Sequence, residues 1–149
     1  MDQQSTPAVT FWEMRLDDYD LGFAVWQVPG CSSKVVLLTG GSSGLGRVAV
    51  KRFVSEGHTV IFTGRSADRL DETVAWINSS QEVRARLHTH VLDLENLESI
   101  RKGVELLKSL GLSLDVWINN AGRTTINLEY VPVTSKVEKT IFANAIGPW

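Results

Sequence analysis

A glycine-rich stretch is the segment of this chain best suited to bind an anion. It reads Thr39-Gly40-Gly41-Ser42-Ser43-Gly44-Leu45-Gly46 and lies between an apolar run and an amphipathic run. Glycine permits positive φ angles, and a pyrophosphate can approach the backbone where no Cβ stands in the way. A helix that begins here would point free N–H groups at the anion, and Ser42 and Ser43 add hydroxyl donors. The pattern predicts a phosphate-binding turn; glycines that serve only packing are the alternative.

The end of the next apolar run bears on which dinucleotide would bind. Residues 58–63 lead into Gly64-Arg65-Ser66, and no acidic residue follows until Asp68. NAD sites usually place a carboxylate here on the ribose 2′-hydroxyl, where it would repel the 2′-phosphate of NADP. The guanidinium of Arg65 offers planar donors that suit a phosphate, and Arg47 could assist. The sequence predicts NADP(H), with a solvated loop position as the alternative for Arg65.

Two further segments follow apolar runs and are expected at the same edge of a sheet. Asp93-Leu94 closes the run at 85–92, and Asn119-Asn120-Ala121-Gly122 closes the run at 114–118. Ligands of parallel α/β sheets bind outside the carboxyl ends of the strands, so both segments are candidate site residues. Asp93 could also cap the following helix, which is compatible with a ligand contact. The tetrapeptide could be an ordinary turn.

Taken together, these segments resemble the short-chain dehydrogenase/reductase family. Thr39-Gly40-x-x-x-Gly44-x-Gly46 is similar to the cofactor motif of that family, and residues 119–122 are similar to its Asn-Asn-Ala-Gly motif. The resemblance covers about residue 34 to the end of the chain. It implies that Asp93 accepts from the adenine amino group, with the Leu94 backbone beside the ring. It also implies that Asn120, Ala121 and Gly122 close over the cofactor, and an arginine at the position of Arg65 is a frequent mark of NADP.

The same resemblance assigns a role to Asn144. The segment Phe142-Ala143-Asn144-Ala145-Ile146-Gly147-Pro148 is similar to the family's helix that bears the catalytic asparagine. The resemblance implies that Asn144 helps to hold a water molecule in a proton relay. From the residues alone, Asn144 is also compatible with the end of a helix that stops at Gly147 and Pro148.

The reaction implied by the resemblance is hydride transfer between NADP(H) and a carbonyl or alcohol substrate. It requires a tyrosine as general acid/base and, four residues later, a lysine that lowers the tyrosine pKa. Tyr19 is followed by Phe23 and Tyr130 by Thr134, so the 149 residues contain no Tyr-x-x-x-Lys. The chain therefore reads as the cofactor-binding fragment of such an enzyme. A non-catalytic nucleotide-binding or regulatory protein and a vestigial truncated product are the alternatives.

The elements that position these residues alternate regularly from Lys34 onward. Apolar runs at 34–39, 58–63, 85–92 and 114–118 predict strands, and the amphipathic stretches between them predict helices. The alternation indicates an α/β fold, a Rossmann-type doubly wound parallel sheet truncated after its last helix. We expect an N-terminal extension, 1–33, and an incomplete NADP-binding domain, 34–149. The predicted helix core stripes are Leu45, Ala49 and Phe53; Leu70, Val74 and Ile77; Leu97, Ile100, Val104 and Leu107; and Val137, Ile141 and Ala145.

Local signals place the helix ends. Ser66 is expected to cap the helix after the second strand, and Ser135 to Glu138 have the spacing of a capping box. Gly57 and Gly111 are expected to end the first and third helices. An apolar edge strand is expected to stay uncovered, which favours aggregation of the isolated chain.

Composition narrows the classes of partner. The net charge of −2 gives no positive field for nucleic acid or an anionic membrane. No apolar stretch approaches the length that spans a bilayer, and a single cysteine, Cys31, predicts an inert thiol in an intracellular protein. We expect a cytoplasmic protein with a small-molecule substrate and a homo-oligomeric full-length form. The aromatic residues within 1–33 fit a strip packed on the domain, a substrate lid, a partner surface or a loose tail.

Overall fold

Strands and helices alternate along the described part of the chain. The computed structural model describes residues 32–77, 80–124, 129 and 137–148. The elements are β1 (Val35–Leu38), α1 (Gly44–Ser55), β2 (Thr59–Gly64), α2 (Ala67–Ile77), α3 (Gln81–Arg84), β3 (Leu87–Val91), α4 (Leu97–Ser109), β4 (Val116–Ile118), α5 (Lys139–Ile141) and a π-helical turn (Phe142–Ile146). All four predicted strands are present, and the short helix α3 was not predicted.

Several predictions fall outside the described residues. They concern the N-terminal extension as far as Cys31, the surroundings of Tyr19 and Tyr130, and the part of the predicted capping box at Ser135. The proposed division into residues 1–33 and 34–149 therefore stays a prediction.

The four strands form one parallel sheet in the order β3-β2-β1-β4. Leu37 of β1 lies opposite Ile61 of β2 on one side and Trp117 of β4 on the other. The chain runs outward from β1 through β2 to β3 and then crosses back to place β4 beside β1. This is the predicted Rossmann-type α/β sheet, and the reversal of strand order between β1 and β4 is the place where such sheets open a crevice.

The core lies between the central strands and the helices α1 and α2. The two strands are apolar at consecutive positions, as expected for strands covered on both faces. Leu38 and Phe62 are 1% and 0% exposed and belong to one buried cluster with Val50 of α1 and Leu70 of α2. The Ser66 hydroxyl accepts from the Arg69 N–H at 3.4 Å, so the predicted cap of α2 is confirmed.

The buried face of α1 is not the predicted one. The prediction placed Leu45, Ala49 and Phe53 against the core. The structure instead buries a face turned by one residue, about 100° around the helix axis, consisting of Gly46, Val50 and Val54. Ala49 and Phe53 pack at the border of the core, whereas Leu45 is 85% exposed and lines the open cleft beside the buried Gly46.

Helix α4 approaches the sheet through a glycine. Gly103 is buried, and a Cβ at this position would lie 3.0 Å from Leu92 Cδ1. The predicted core stripe is wrong at Val104, which is 42% exposed. A Cβ on Gly103 would also lie 3.4 Å from Nε2 of His90 on β3, so this residue faces the sheet, and Val104 is displaced from it by about 100° around the helix axis. Gly111 follows α4 with a φ of 63°, the left-handed conformation that is usual for a glycine that ends a helix, as the sequence predicts.

The start of α5 differs from the prediction. The helix begins at Lys139, and Glu138 is its N-cap, with Oε2 accepting from the Ile141 N–H at 3.1 Å. The predicted capping box would have made Glu138 the third residue of the helix, so the predicted start is wrong. Accepting main-chain hydrogen bonds at residues 140 and 141 holds the pKa of the Glu138 carboxyl below its usual value.

A π-helical turn then shifts the buried face of this segment. The Gly147 N–H donates to the Phe142 carbonyl at 2.7 Å, a five-residue spacing in place of the four of an α-helix. Of the predicted stripe, Ile141 is 58% exposed and Ala145 is exposed, whereas Phe142 and Ala143 are buried. The stripe prediction is wrong because it assumed regular α-helical periodicity through this turn.

The edge at β4 leaves apolar side chains at the surface. Val116 is 39% exposed and Trp117 is 55% exposed, so the described sheet has the uncovered apolar edge that the sequence predicts. Within the described ranges, no helix combines the length and the apolar character needed to cross a membrane.

Candidate functional site

The carboxyl ends of the strands open into a cleft of about 520 Å³. Its lining residues are Gly40, Ser42, Ser43, Leu45, Gly46, Thr63, Gly64, Arg65, Ser66, Arg69, Leu92, Asp93, Leu94, Glu95, Asn120, Ala121, Gly122, Arg123 and Ala143. Every residue that the sequence predicts to contact a cofactor belongs to this set except Gly44 and Arg47. Asn144, for which the resemblance implies a catalytic role, also lies outside it.

Two glycines give the turn after β1 its conformation. Gly40 and Gly44 have φ angles of 73° and 53°, in the left-handed region. A Cβ on Gly40 would lie 2.8 Å from Ala121 Cα. The close approach of the segment after β4, residues 119–124, therefore also requires glycine at position 40. A Cβ on Gly44 would meet no heavy atom within 4 Å. The turn is thus packed against protein on one side and open on the other.

The first turn of α1 offers donors without an opposing acid. It contains no acidic side chain, and the N-cap Ser43 has extended backbone, with a hydroxyl that makes no capping hydrogen bond. The N–H groups in the first turn of a helix lack intrahelical partners, and the helix dipole adds a partial positive charge. This end of the cleft therefore suits an anion.

A hydrogen-bond network ties the segment after β4 to the glycine turn. The Asn120 side chain donates from Nδ2 to the carbonyl oxygens of Thr39 at 3.0 Å and Gly40 at 3.2 Å. In return, the Thr39 hydroxyl oxygen accepts from the main-chain N–H groups of Asn120 at 3.2 Å and Ala121 at 3.1 Å. The Asn120 amide is therefore directed at the protein, where it positions the turn.

Arg65 lies at the end of β2, and an acid lies near it in space. Its side chain is 70% exposed, and its Nη1 is 3.8 Å from Glu95 Oε1. Glu95 comes from the loop after β3. No acidic residue lies next to Arg65 in the sequence, but the folded chain places the Glu95 carboxylate close to it.

Arg47 is directed away from the cleft, so its expected help with a phosphate is wrong. Its Cζ lies 4.5 Å from the centre of the Trp76 ring, and its Nη2 donates to the Glu72 carbonyl at 3.4 Å. Its position on α1 faces α2 and not the strand ends. Arg69, on the first turn of α2, lines the cleft instead.

Asp93 shapes the loop after β3 but does not cap α4. Its Oδ1 accepts from the Glu95 N–H at 3.0 Å, and its own N–H donates to the Ser99 hydroxyl at 2.9 Å. The N-cap of α4 is Asn96, whose Oδ1 accepts from the N–H groups of Glu98 and Ser99. The second carboxylate oxygen of Asp93 makes no hydrogen bond with the described residues, which leaves it for a ligand.

Asn144 is held by the segment after β4. Its Oδ1 accepts from the Arg123 N–H and its Nδ2 donates to the Arg123 carbonyl, both at 2.8 Å. A Cβ on Gly122 would lie 3.7 Å from Asn144 Oδ1, so the asparagine lies close to the end of the tetrapeptide. The structure therefore brings Asn144 to the rim of the site without placing it in the lining.

The sequence reasoning missed three charged residues of the lining, Arg69, Glu95 and Arg123. Arg123 Nη1 donates to Glu95 Oε1 at 2.5 Å, and this hydrogen bond raises the pKa of the Arg123 guanidinium above its usual value. Glu95 and Arg123 each directly follow a predicted site residue, so extending those motifs by one position would have included them. Their pairing could not be read, because it joins positions 28 residues apart.

Comparison with known proteins agrees with this geometry. The family model for short chain dehydrogenases matches residues 34–148. Sulfoacetaldehyde reductase 2 of Chromohalobacter salexigens is 36% identical over 90 residues, which are 60% of this chain and 34% of that protein. The NADP-dependent 3-hydroxy acid dehydrogenase YdfG of Escherichia coli is 34% identical over 88 residues, 59% of this chain and 33% of that protein.

Solved structures show the same fold. The crystal structure of a short chain dehydrogenase from Bacillus anthracis superimposes with a TM-score of 0.54 at 35% identity and covers 64% of this chain and 38% of that one. The chain spans about a third of the length of the two curated relatives. Since the family model matches well over half of the residues and the motifs lie together at the strand ends, the chain belongs to the short-chain dehydrogenase family.

Proposed function

We propose that the cleft binds NADP(H), and that the chain is the cofactor-binding part of an oxidoreductase that transfers hydride between NADP(H) and a carbonyl or alcohol. One observation carries the proposal. The glycine turn, the first turn of α1 and the Arg65 side chain all line the same cleft of about 520 Å³. A dinucleotide needs a site for its pyrophosphate and, in NADP(H), a separate cation for the 2′-phosphate.

The residues present fit such a group. The open side of Gly44 leaves room for a pyrophosphate beside the N–H groups of α1, and the Ser43 hydroxyl is not used for capping. Arg65 and Arg69 would hold the 2′-phosphate, while Asp93 and Leu94 would hold the adenine. When bound, NADP(H) supplies the hydride, and the protein binds and orients the cofactor.

The relatives support this proposal. One relative, 34% identical, is named as an NADP-dependent hydroxy acid dehydrogenase, and another, 36% identical, as a reductase of an aldehyde. Both names agree with a carbonyl or alcohol substrate. The cytoplasmic location and the homo-oligomeric full-length form stay predictions.

The cofactor preference is tested by titrating the purified protein with NADPH and NADH, followed by nucleotide fluorescence. Arg65→Glu replaces the cation nearest to the expected 2′-phosphate with an anion. We expect it to weaken NADPH binding about 10- to 100-fold more than NADH binding, the range for a lost charge-assisted hydrogen bond. Arg101→Glu, an equal charge reversal on the exposed surface of α4, is the control. Equal losses for both nucleotides in Arg65→Glu would contradict the preference for NADP(H).

A nucleotide-binding role without catalysis is the second candidate, because the features that line the cleft are ones that bind an anion and a nucleotide. Saturable NADPH binding at a stoichiometry near one, without carbonyl reduction, would favour this role for the chain. Turnover by the purified chain would favour the enzyme and would show that its acid/base group lies among these residues.

A further inference from the structure

Glu95 is the residue that joins Arg65 to the segment after β4. Its Oε1 lies 3.8 Å from Arg65 Nη1 and 2.5 Å from Arg123 Nη1. The three residues line the cleft, and each comes from a different part of the fold: the end of β2, the loop after β3 and the segment after β4. A carboxylate is thus built into the place where the 2′-phosphate of NADP(H) is expected.

The two contacts of Glu95 are unequal. The Glu95 and Arg123 side chains are 17% and 24% exposed and share a short hydrogen bond, whereas Arg65 is 70% exposed and lies at a longer distance. Exposed ion pairs at such distances contribute little, and partly buried charge-assisted hydrogen bonds contribute more. Glu95 is therefore held by Arg123, and Arg65 is only loosely held by Glu95.

The position of the carboxylate does not depend on Arg65. The Glu95 N–H is fixed by Asp93 Oδ1, and the main chain of Arg123 is fixed by both amide atoms of Asn144. These contacts support the Glu95–Arg123 pair from both sides. When a ligand draws Arg65 away, the carboxylate stays at the site and acts on whatever group the ligand brings.

We propose that Glu95 is a specificity-determining residue that lowers the preference of the site for NADP(H) over NAD(H). This proposal rests on the proposed function, because it assumes that Arg65 binds the 2′-phosphate. To bind Arg65, the 2′-phosphate must break the ion pair between Arg65 and Glu95. The bound phosphate then lies close to the negatively charged Glu95 carboxylate, and both effects lower the affinity for NADP(H). A ribose 2′-hydroxyl meets no such repulsion and can donate to the carboxylate. Glu95 thus takes the part that an acid at the end of the second strand takes in NAD sites, but comes from the neighbouring loop.

A purely structural role for Glu95 makes a different prediction. If Glu95 only supported Arg123, removing its charge would weaken or leave unchanged the binding of both nucleotides to the same extent. The ratio of the two dissociation constants, Kd for NADH over Kd for NADPH, separates the roles because it cancels general loosening of the cleft.

The experiment measures this ratio by fluorescence titration for the wild type, Glu95→Gln, Arg65→Ala and the double variant. Glutamine keeps an oxygen that can accept from Arg123, and removes the charge. We expect Glu95→Gln to raise the ratio about fivefold, the upper end for an exposed charge pair. In the Arg65→Ala background we expect the change to be smaller, since part of it comes from releasing Arg65. Glu98→Gln removes an equal charge from a side chain that is 64% exposed and pairs with Lys102, and should leave the ratio unchanged.

The outcomes distinguish this proposal from the proposed function. An unchanged or lowered ratio in Glu95→Gln, with Arg65→Ala lowering the ratio, would overturn the role of Glu95 and leave the function standing. An Arg65→Ala variant that keeps the wild-type ratio would overturn the assignment of Arg65 and with it both proposals. If Glu95→Gln does not fold, Glu95→Asp carries the test, because its shorter side chain withdraws the carboxylate from Arg65, and a smaller increase of the ratio is expected.

Discussion

The side-chain amide of Asn144 exchanges two hydrogen bonds of 2.8 Å with the main chain of Arg123. The same reciprocal pattern joins opposed residues of an antiparallel sheet, with the amide here in the place of a second backbone. It ties the π-helical turn to the segment after β4. One N–H and one lone pair of the amide remain for other partners, so the role in a proton relay that the resemblance implies for Asn144 stays a prediction.

Replacing Asn144 with aspartate tests the contribution of this pairing. Asn144→Asp keeps the size of the side chain but places a carboxylate oxygen against the Arg123 carbonyl. We expect the free energy of unfolding, measured by urea denaturation at neutral pH, to fall by about 1–3 kcal/mol, the range for an unmade hydrogen bond with an opposed charge. Asn119→Asp is the control, since the Asn119 side chain is exposed and makes no hydrogen bond with described residues. Equal effects of the two substitutions would show that the pairing adds nothing.

The Thr39 hydroxyl is expected to stabilise the link between the glycine turn and the segment after β4. Thr39→Val keeps the shape of the side chain but removes the hydroxyl that accepts from the Asn120 and Ala121 N–H groups. The Asn120 N–H keeps the Ile118 carbonyl as an acceptor at 3.1 Å, so the Ala121 N–H is the group left without a partner among the described residues. Thr63→Val is a matched control at the end of β2, where the threonine is 4% exposed and its hydroxyl has no partner among the described residues. We expect the free energy of unfolding to fall by about 1–3 kcal/mol more for Thr39→Val than for Thr63→Val. A larger loss for the control would refute this account.

The strands and the glycine turn could be predicted because their signals are local. Consecutive apolar residues such as 35–38 mark a strand covered on both faces, and glycine marks positions where the backbone angle excludes other residues. Gly40 and Gly44 both have positive φ, and nearly all predicted cofactor contacts line one cleft, since parallel strands bring their carboxyl ends to one edge.

The charges of the cleft could not be predicted in the same way. Glu95 reaches Arg65 and Arg123 only after the strands are ordered in the sheet, and no short pattern encodes that order. The face of a helix that is buried depends on what lies beneath it, which is why Leu45 is exposed although it has the spacing of a core residue. The π-helical turn at Phe142 changes the periodicity itself, so a stripe read at 3.6 residues per turn is misplaced.

Gly40 is expected to tolerate a side chain less well than Gly111. Both residues have a positive φ, 73° and 63°, so alanine at either position carries a similar backbone cost of about 1–2 kcal/mol. Only at Gly40 would the new Cβ also meet main chain, because Ala121 Cα would lie 2.8 Å away, whereas Gly111 faces open space. Overpacking adds about 1–3 kcal/mol. Urea denaturation should therefore show a larger loss of stability for Gly40→Ala than for Gly111→Ala, and similar losses would mean that the segment after β4 moves aside.

His90 is expected to make the stability of the protein depend on pH below about 6.5. Its Nε2 is buried on β3 without a hydrogen-bond partner among the described residues, and burial lowers the pKa of His90 from its ordinary value of 6.5. As the pH falls below that value, the unfolded chain binds a proton at this position before the folded chain does. The contribution of neutral His90 is therefore present above pH 6.5 and is lost as the pH falls through the folded pKa.

Melting temperatures of the wild type and His90→Gln, measured between about pH 8 and pH 5.5, test this dependence. The difference between the two proteins at pH 8, where the imidazole is neutral in both states, gives the cost of the substitution itself and serves as the internal control. Relative to that difference, we expect the variant to lose less stability than the wild type on acidification, because glutamine has no proton to bind. Parallel curves for the two proteins would show that His90 takes up its proton equally in the folded and unfolded states. A steeper fall in the variant would show that folding raises the pKa of His90 and does not lower it.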